Sequence, residues 1–283
     1  APARLINEHS VECVNPSRAR SGESVLFFGG TKSWYHFVID IGRLAFYLDQ
    51  LGLLNNRPIA IPAGAPPQIS ELCARLTGLS PFEVDAYESL HCQQVVMVQT
   101  PETTNIFSAT QPPKLPSDFA QWLRDKTSGR NTSRSGMRQV KQVLLQRPFG
   151  SERRMLNEPQ VRARALGRNF DVVRPENLTL DDQVSYFRNA RVVVGESGAA
   201  LTNLVFAEPG STLIELHPPV DTPGFWESFV TDLGHNHILV EGVRRPLDYL
   251  RPEPMTWRVD LATLDRVLEG DTSSSESRRS HLG

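Results

Sequence analysis

The feature that most limits what this chain can fold into is its rhythm: short β-rich apolar runs alternate with longer segments of helical periodicity. In the second half, Val140–Leu145, Phe170–Val173, Arg191–Val194, Thr212–Leu216 and Ile238–Val240 read as buried strands. Between them Glu158–Leu166, Leu180–Asn189, Ala199–Phe206 and Phe225–Leu233 read as helices, and Leu261–Leu268 as a last one. Gly167 is the expected C-cap of the first of these. The first half repeats the rhythm less clearly. Ser24–Phe28 is a strand closed by Gly29-Gly30, and Trp34–Leu54 is a helix. Arg57–Ile61 is a strand, Gln68–Leu76 a helix and Gln94–Val98 a strand. Strand–helix alternation of this kind predicts an α/β protein of doubly wound, Rossmann-like halves. Residues 1–23 read as polar and irregular, and the tail from Asp271 as frayed.

A Pro/Thr/Ser-rich stretch from Thr100 to Pro116 is the best boundary, giving lobes of residues 1–110 and 111–283. Ser117 is expected to cap a helix reaching Lys126, followed by a mobile Ser/Arg/Gly-rich loop to Gly136.

Composition narrows the function. The net charge of −2 gives no bulk attraction for nucleic acid. No apolar run approaches the roughly 18 residues that cross a membrane, and no signal peptide is visible. The N-terminal Ala1 is compatible with processing or trimming. Cys13, Cys73 and Cys92 have no metal-ligand spacing and are odd in number, so they read as small buried residues of a reducing compartment. Asn131-Thr132-Ser133 and Asn177-Leu178-Thr179 match the glycosylation pattern, which matters only in a secretory pathway.

Four places carry candidate chemistry. In Val192-Val193-Val194-Gly195-Glu196-Ser197-Gly198-Ala199-Ala200-Leu201-Thr202-Asn203 a strand meets a tight turn over Gly195–Gly198, and small residues open a helix. Glycines admit a ligand close to backbone, and a helix N-terminus offers unpaired N–H groups to a diphosphate. The pattern lacks both the dinucleotide fingerprint and the P-loop signature. Arg147, Arg153 and Arg154, with Asn157 and Glu158, follow the first strand of the second half, where arginines suit phosphate. His36 and Asp40 are four apart on one helix face, a spacing at which the carboxylate orients the imidazole as a base. The dipole near the helix start favours carboxylate over imidazolium, leaving His36 neutral. Glu215 is read as ending its strand just before His217, placed to bind ribose or sugar hydroxyls. Each has a plainer reading: an ordinary strand-to-helix turn, a solvated basic loop, a structural His–Asp pair and a solvated strand end.

Taken in order, these segments resemble glycosyltransferase family 61. The likeness rests on Leu145-Gln146-Arg147, on Arg153-Arg154-Met155-Leu156-Asn157-Glu158 and on Phe170-Asp171-Val172-Val173. It continues through Glu176, Leu178, Gln183 and Ala190, then Gly195 to Asn203 with Phe206, and Ile214-Glu215. In the first half, Tyr35-His36-Phe37 with Asp40 is similar to the family's His-x-x-x-Asp helix. Ser197 stands where the family's Gly-x-His-Gly-Ala turn has histidine.

The resemblance implies a GT-B architecture: two Rossmann-like lobes facing a cleft, acceptor on the N-terminal side and nucleotide-sugar donor on the C-terminal side. It implies inverting transfer to a glycan hydroxyl without a metal or other cofactor. The absence of an Asp-x-Asp triplet agrees with this. His36 and Asp40 become the catalytic candidates. Arg147, Arg154, Glu196, Ser197, Gly198, Ala199, Ala200, Thr202, Asn203 and Glu215 become the donor-binding ones, for a donor expected to be UDP-linked. Its bacterial capsular members imply a cytoplasmic protein of surface polysaccharide synthesis, compatible with peripheral association at the inner membrane. The alternative is a non-catalytic nucleotide-sugar or glycan-binding protein on the same scaffold, and a Rossmann-type epimerase is disfavoured by the missing N-terminal glycine fingerprint.

Overall fold

A computed structural model describes residues 3–7, 10–13, 18–26, 31–55, 57–85, 88–96, 112–128, 141–147, 153–219, 224–244 and 255–270. The Gly29-Gly30 turn, the Asn131 sequon, the core of the 100–116 boundary, the expected loop from residue 129 on and the tail from Asp271 lie outside these. So do the side chains of Cys13 and Cys92. The chain is mixed α/β and divides into two compact units: residues 1–108, 115–132 and 179–182, and residues 109–114, 133–178 and 183–283.

In the first unit β1 (Ala3–Asn7) pairs antiparallel with β2 (Ser10–Cys13), and β3 (Arg18–Leu26) pairs parallel with β6 (Glu88–Val96). Residues 1–23, expected to be irregular, therefore supply strands. Their polar composition hides them because pairing, not a periodic apolar face, defines them. Leu26 bridges in parallel to Ile59, just before β4 (Ala60–Pro62), which pairs parallel with β5 (Phe82–Val84). Between β3 and β4 the helix opens with a π segment, His36–Ile41, and continues as α1 (Gly42–Gln50). Helix α2 (Pro67–Thr77) follows β4 and stops at Gly78, whose φ of 75° is a left-handed C-cap.

Helix α3 (Phe119–Thr127) belongs to this unit although it lies beyond the expected boundary at residue 110. The reason is packing on α1. Phe46 meets Phe119 and Trp122 edge to face, and Trp122 Nε1 donates to Asp49 Oδ2 at 2.7 Å. Its N-cap residue is Asp118, with Ser117 Oγ donating to Asp118 Oδ1, rather than the expected Ser117.

The second unit is built on one seven-stranded sheet. Its strands are β7 (Gln142–Leu145), β8 (Arg153–Met155), β9 (Asp171–Val173), β10 (Val192–Glu196), β11 (Thr212–His217), β12 (Asn236–Val243) and β13 (Met255–Val259), in the order β8-β13-β12-β11-β10-β7-β9. From β9 to β12 all neighbours are parallel. This is the doubly wound arrangement in which connections reverse direction. From β7 the chain crosses to β8 on the far edge of the sheet and returns through α4 (Glu158–Gly167) to β9 on one side of β7; from β10, on the other side of β7, it runs on to β11. The reversal falls between β7 and β10.

Side chains alternate across the sheet. Leu144, Val194, Ile214 and Val240 share one face and pack with Val161 and Ala165 of α4 and with Leu264 and Val267 of α7 (Leu261–Leu268). Gly195 and Glu215 belong to the opposite face. There a Cβ on Gly195 would lie 2.9 Å from Leu201, so glycine lets the following helix sit down on β10. That helix, Ala199–Phe206, is 3₁₀ rather than α. Helix α5 (Leu180–Asn189) precedes β10 and α6 (Phe225–Asp232) precedes β12. Helix α4 does not end on a left-handed Gly167: Arg168 is its C-cap, and Asn169, with φ 62°, takes the left-handed position. Among the described residues no helix is long and apolar enough to cross a membrane.

One buried amide ties the two ends of this unit together. Asn157 Nδ2 donates to Val259 O at 2.8 Å, and Val259 N donates back to Asn157 Oδ1 at 3.0 Å. Asn157→Ala leaves both backbone groups of Val259 buried without partners. The expected loss is about 2–4 kcal/mol in urea denaturation. A loss under about 0.5 kcal/mol would show that the clamp is dispensable.

Candidate functional site

Ligands of open α/β sheets bind beyond the carboxyl ends of the strands, where the connections reverse. Here that place lies between the ends of β7 and β10, and Arg147 and Ser197 meet across it. Arg147 donates to the carbonyl oxygen of Ser197, and its Nε lies 3.7 Å from Glu196 Oε2. Gly195 and Glu196 are the last residues of β10, so the tight turn is shorter than expected and consists of Ser197 and Gly198. Gly198 is extended, at φ 162° and ψ 174°, and what its lack of a side chain provides is room: a Cβ would sit 3.2 Å from Arg147 Cζ. The glycine lets the guanidinium lie against the turn.

The 3₁₀ helix makes its first internal bond from Leu201 N to Gly198 O, at 2.9 Å. The N–H groups of Ala199, exposed, and Ala200, half-buried, come before that bond. An anion at this turn would meet these local N–H groups rather than the dipole of an α-helix. Thr202 and Asn203 are fully buried, and Asn203 Nδ2 donates to Ala200 O at 3.1 Å. They shape the helix under the turn. The hydroxyl of Thr202 is buried without a hydrogen bond among the described residues.

Glu215 does not end its strand. It faces Gly195 in register, and β11 runs on to His217. It is 1% exposed, and both its oxygens are engaged. Ser197 Oγ donates to Oε1, His217 Nδ1 lies 3.0 Å from the same oxygen, and His237 Nε2 lies 2.7 Å from Oε2. Burial alone pushes the carboxyl pKa up, but the bonds from His217, His237 and Ser197 outweigh it and hold the group at about 2, against an ordinary 4.5. An ionised carboxylate only accepts, so His217 Nδ1 and His237 Nε2 must carry the protons. Ser197 Oγ is also 3.0 Å from His217 Nδ1. This is no nucleophile triad: serine and carboxylate share one ring nitrogen, and the hydroxyl proton points at the carboxylate. Among the described residues no group of three or more His, Cys, Asp and Glu is arranged to hold a metal ion.

The sequence reading missed His217 and His237 as members of the site. Period-two alternation from Glu215 would have found the first; the second needed the β11–β12 register. Arg154 stands exposed on edge strand β8, which β13, β12, β11 and β10 separate from β7 in the sheet. Glu158 accepts from Gln146 Nε2 at 2.7 Å, and Arg174 Nε donates to Gln146 Oε1 at 3.2 Å, bracing the residue before Arg147.

The first unit has its own polar site. His36 Nδ1 and Asp40 Oδ2 are 2.7 Å apart, with side chains 28% and 12% exposed. The π segment brings residues four apart almost one turn round, and such segments recur at functional sites. Burial raises the Asp40 pKa, outweighing the lowering effects of the His36 bond and of the His36 and Arg43 charges. With Asp40 ionised, Nδ1 carries the proton and Nε2 is the basic nitrogen of His36. Tyr35 packs edge to face on the imidazole at 5.2 Å. Cys73 is buried and free, its thiol pushed up to about 12 by burial, which makes it inert.

The depressed pKa of Glu215 makes an acid-stability prediction. The folded value lies below the unfolded one, so the contribution is complete above about pH 4.5 and is lost as the pH falls toward about 2. Wild type should lose about 3 kcal/mol more than Glu215→Gln across that window in denaturant titrations. Parallel profiles would mean that Glu215 is not held ionised.

Comparison with known proteins gives one assignment. No curated protein matches the chain. The family model described as Glycosyltransferase 61 matches residues 34–214. That interval takes in His36, Asp40, Arg147 and the Ser197–Gly198 turn and ends just before Glu215. It covers well over half of the chain, which therefore belongs to glycosyltransferase family 61.

Proposed function

We propose that this protein is an inverting, metal-independent glycosyltransferase that moves a sugar from a nucleoside diphosphate donor, UDP-linked in the first instance, to a glycan hydroxyl. The observation that carries the reading is the contact of Arg147 with the Ser197–Gly198 turn at the reversal of the second unit's sheet. Its guanidinium and unpaired N–H groups suit a diphosphate, and without a metal these must stabilise the leaving group. The GT-B arrangement, with a donor lobe carrying Arg147 and an acceptor lobe carrying His36 and Asp40, is part of the same proposal. So are the lobe boundary near residue 110 and a place in surface polysaccharide synthesis.

In the proposed reaction the acceptor oxygen attacks the anomeric carbon as the bond from that carbon to the phosphate oxygen breaks. The hydroxyl proton passes to His36 Nε2, which Asp40 orients through Nδ1. The nucleoside diphosphate leaves with the bonding electrons, its charge met by Arg147 and the N–H groups of Ala199 and Ala200. Glu215, enclosed by its three donors, acts here by fixing Ser197 rather than by touching ribose. Ser197 in the family's histidine position favours the second reading, a binding protein without turnover, and a transfer assay separates the two.

Arg147→Ala should weaken UDP binding by about 1.5–3 kcal/mol in calorimetry, with the fold intact. Unchanged affinity would remove the donor site from this turn. Transfer should continue in excess EDTA; loss on chelation with recovery on Mn²⁺ would refute metal independence. His36→Ala should lower kcat by roughly 10²–10⁴ and leave UDP affinity near normal. Near-normal turnover in both His36→Ala and Asp40→Asn would place the base elsewhere.

A further inference from the structure

Three side chains stand in a row along the carboxyl edge of the second unit's sheet. Arg147 follows β7, Ser197 follows β10 and His217 ends β11. Register sets the row: Leu145 is level with Gly195 and Gly195 with Glu215, so the residues two further on are level in turn and share one face. Ser197 N donates to Leu216 O at 3.1 Å, carrying the β10–β11 ladder past the end of β10. Ser197 is thus flanked by a guanidinium on one side, bonded to its carbonyl, and by an imidazole on the other, 3.0 Å from its hydroxyl.

We propose that His217 is the second cation of the diphosphate site, and that it becomes one by taking up a proton when the nucleoside diphosphate binds. The inference rests on the donor-site reading above. Its chemistry follows from the cluster. Nδ1–H of His217 is committed to Glu215, so an added proton lands on Nε2 and turns a neutral ring into an imidazolium. Glu215, ionised behind the ring, balances that charge, and His237 holds the far carboxylate oxygen so that it cannot swing away. A buried carboxylate facing an imidazolium is half of a stable pair, and the anionic ligand supplies the rest of the stabilisation. Among the described residues, the other charged and titratable groups that bear on His217 are Glu241, level with it on β12, His237 earlier on the same strand and, across Ser197, Arg147 and Glu196. The 3₁₀ helix on this face, Ala-Ala-Leu-Thr-Asn-Leu-Val-Phe, carries none. Arg147 is shared with Glu196, which leaves room for a second cation at a site meeting two phosphates.

The sign follows from linkage. Binding favours the protonated ring, so affinity is greatest at and below the free imidazole range, about pH 6.5, and falls as the pH rises through the bound value. The fall is about tenfold per pH unit where one full proton is taken up.

The test is calorimetry of UDP, and separately of inorganic pyrophosphate, on the whole protein near pH 7.5, in buffers of different ionisation enthalpy. Wild type should take up close to one proton with either ligand. His217→Gln should bind more weakly, without uptake and with affinity flat in pH. Arg147→Ala should bind more weakly yet still take up the proton. Wild-type binding of UDP with no uptake overturns the proposal and leaves the donor site standing. Uptake that persists in His217→Gln overturns it as well, because the proton then belongs to the ligand, to His237 or to another group. Failure of wild type to bind either probe overturns the donor-site reading and this one together. Should His217→Gln fail to fold, the buffer series on wild type still decides whether a proton is taken up, and an imidazole resonance of His217 followed by NMR with and without UDP decides where.

Discussion

Everything proposed for the second unit depends on parallel pairing of β10 between β7 and β11. That pairing aligns the ends of three strands whose sequences lie far apart, beside the point where the connections reverse. Arg147, Ser197 and His217 become neighbours only because Leu145, Gly195 and Glu215 are level in the sheet. A slip of one residue in either ladder would send one of them to the opposite face, among the apolar residues that pack α4 and α7. The wide apolar contact of Leu144, Val194, Ile214 and Val240 with those helices makes such a slip costly. The core thereby sets the geometry of the polar edge.

Glu215 is the other demand on the fold. A carboxylate 1% exposed is expensive unless its charge is met by donors, and here Ser197, His217 and His237 supply them. Ser197 follows the carboxyl end of β10, His217 ends β11, and His237 comes from the amino end of β12. The carboxylate therefore cross-links β10, β11 and β12 through side chains at the point where the backbone ladder between β10 and β11 runs out. The two small residues of the turn have complementary duties: Ser197 faces inward to that network, and Gly198 faces outward and makes space for Arg147.

Much of this was legible in the sequence where local chemistry decides the structure. Helices Leu180–Asn189 and Leu261–Leu268 keep the bounds their periodicity predicts, and the parallel strands of the second half fall where apolar runs predict them. What was hidden depends on partners. Strands β8 and β13 are short, and each has the other as a neighbour; β3 is too polar to announce itself and is defined by β6. Gly195 was read as turn because glycine usually breaks strands, yet here it is required in the strand, where Leu201 needs its space. Glu215 was visible as a carboxylate in a strand, but the histidines that keep it ionised are brought to it by alternation and register, which a single local window does not contain. His36 and Asp40 were legible as a pair because a helix fixes residues four apart; the π form of that turn was not.

The central claim is that a nucleoside diphosphate binds at the carboxyl edge of the second unit's sheet, against the Ser197–Gly198 turn. The most direct measurement is a crystal structure of the protein soaked with UDP. The account predicts phosphate oxygens within about 3 Å of the Arg147 guanidinium and of the N–H groups of Ala199 and Ala200, with His217 alongside. A nucleotide bound elsewhere, or phosphates turned away from that turn into solvent, would contradict it.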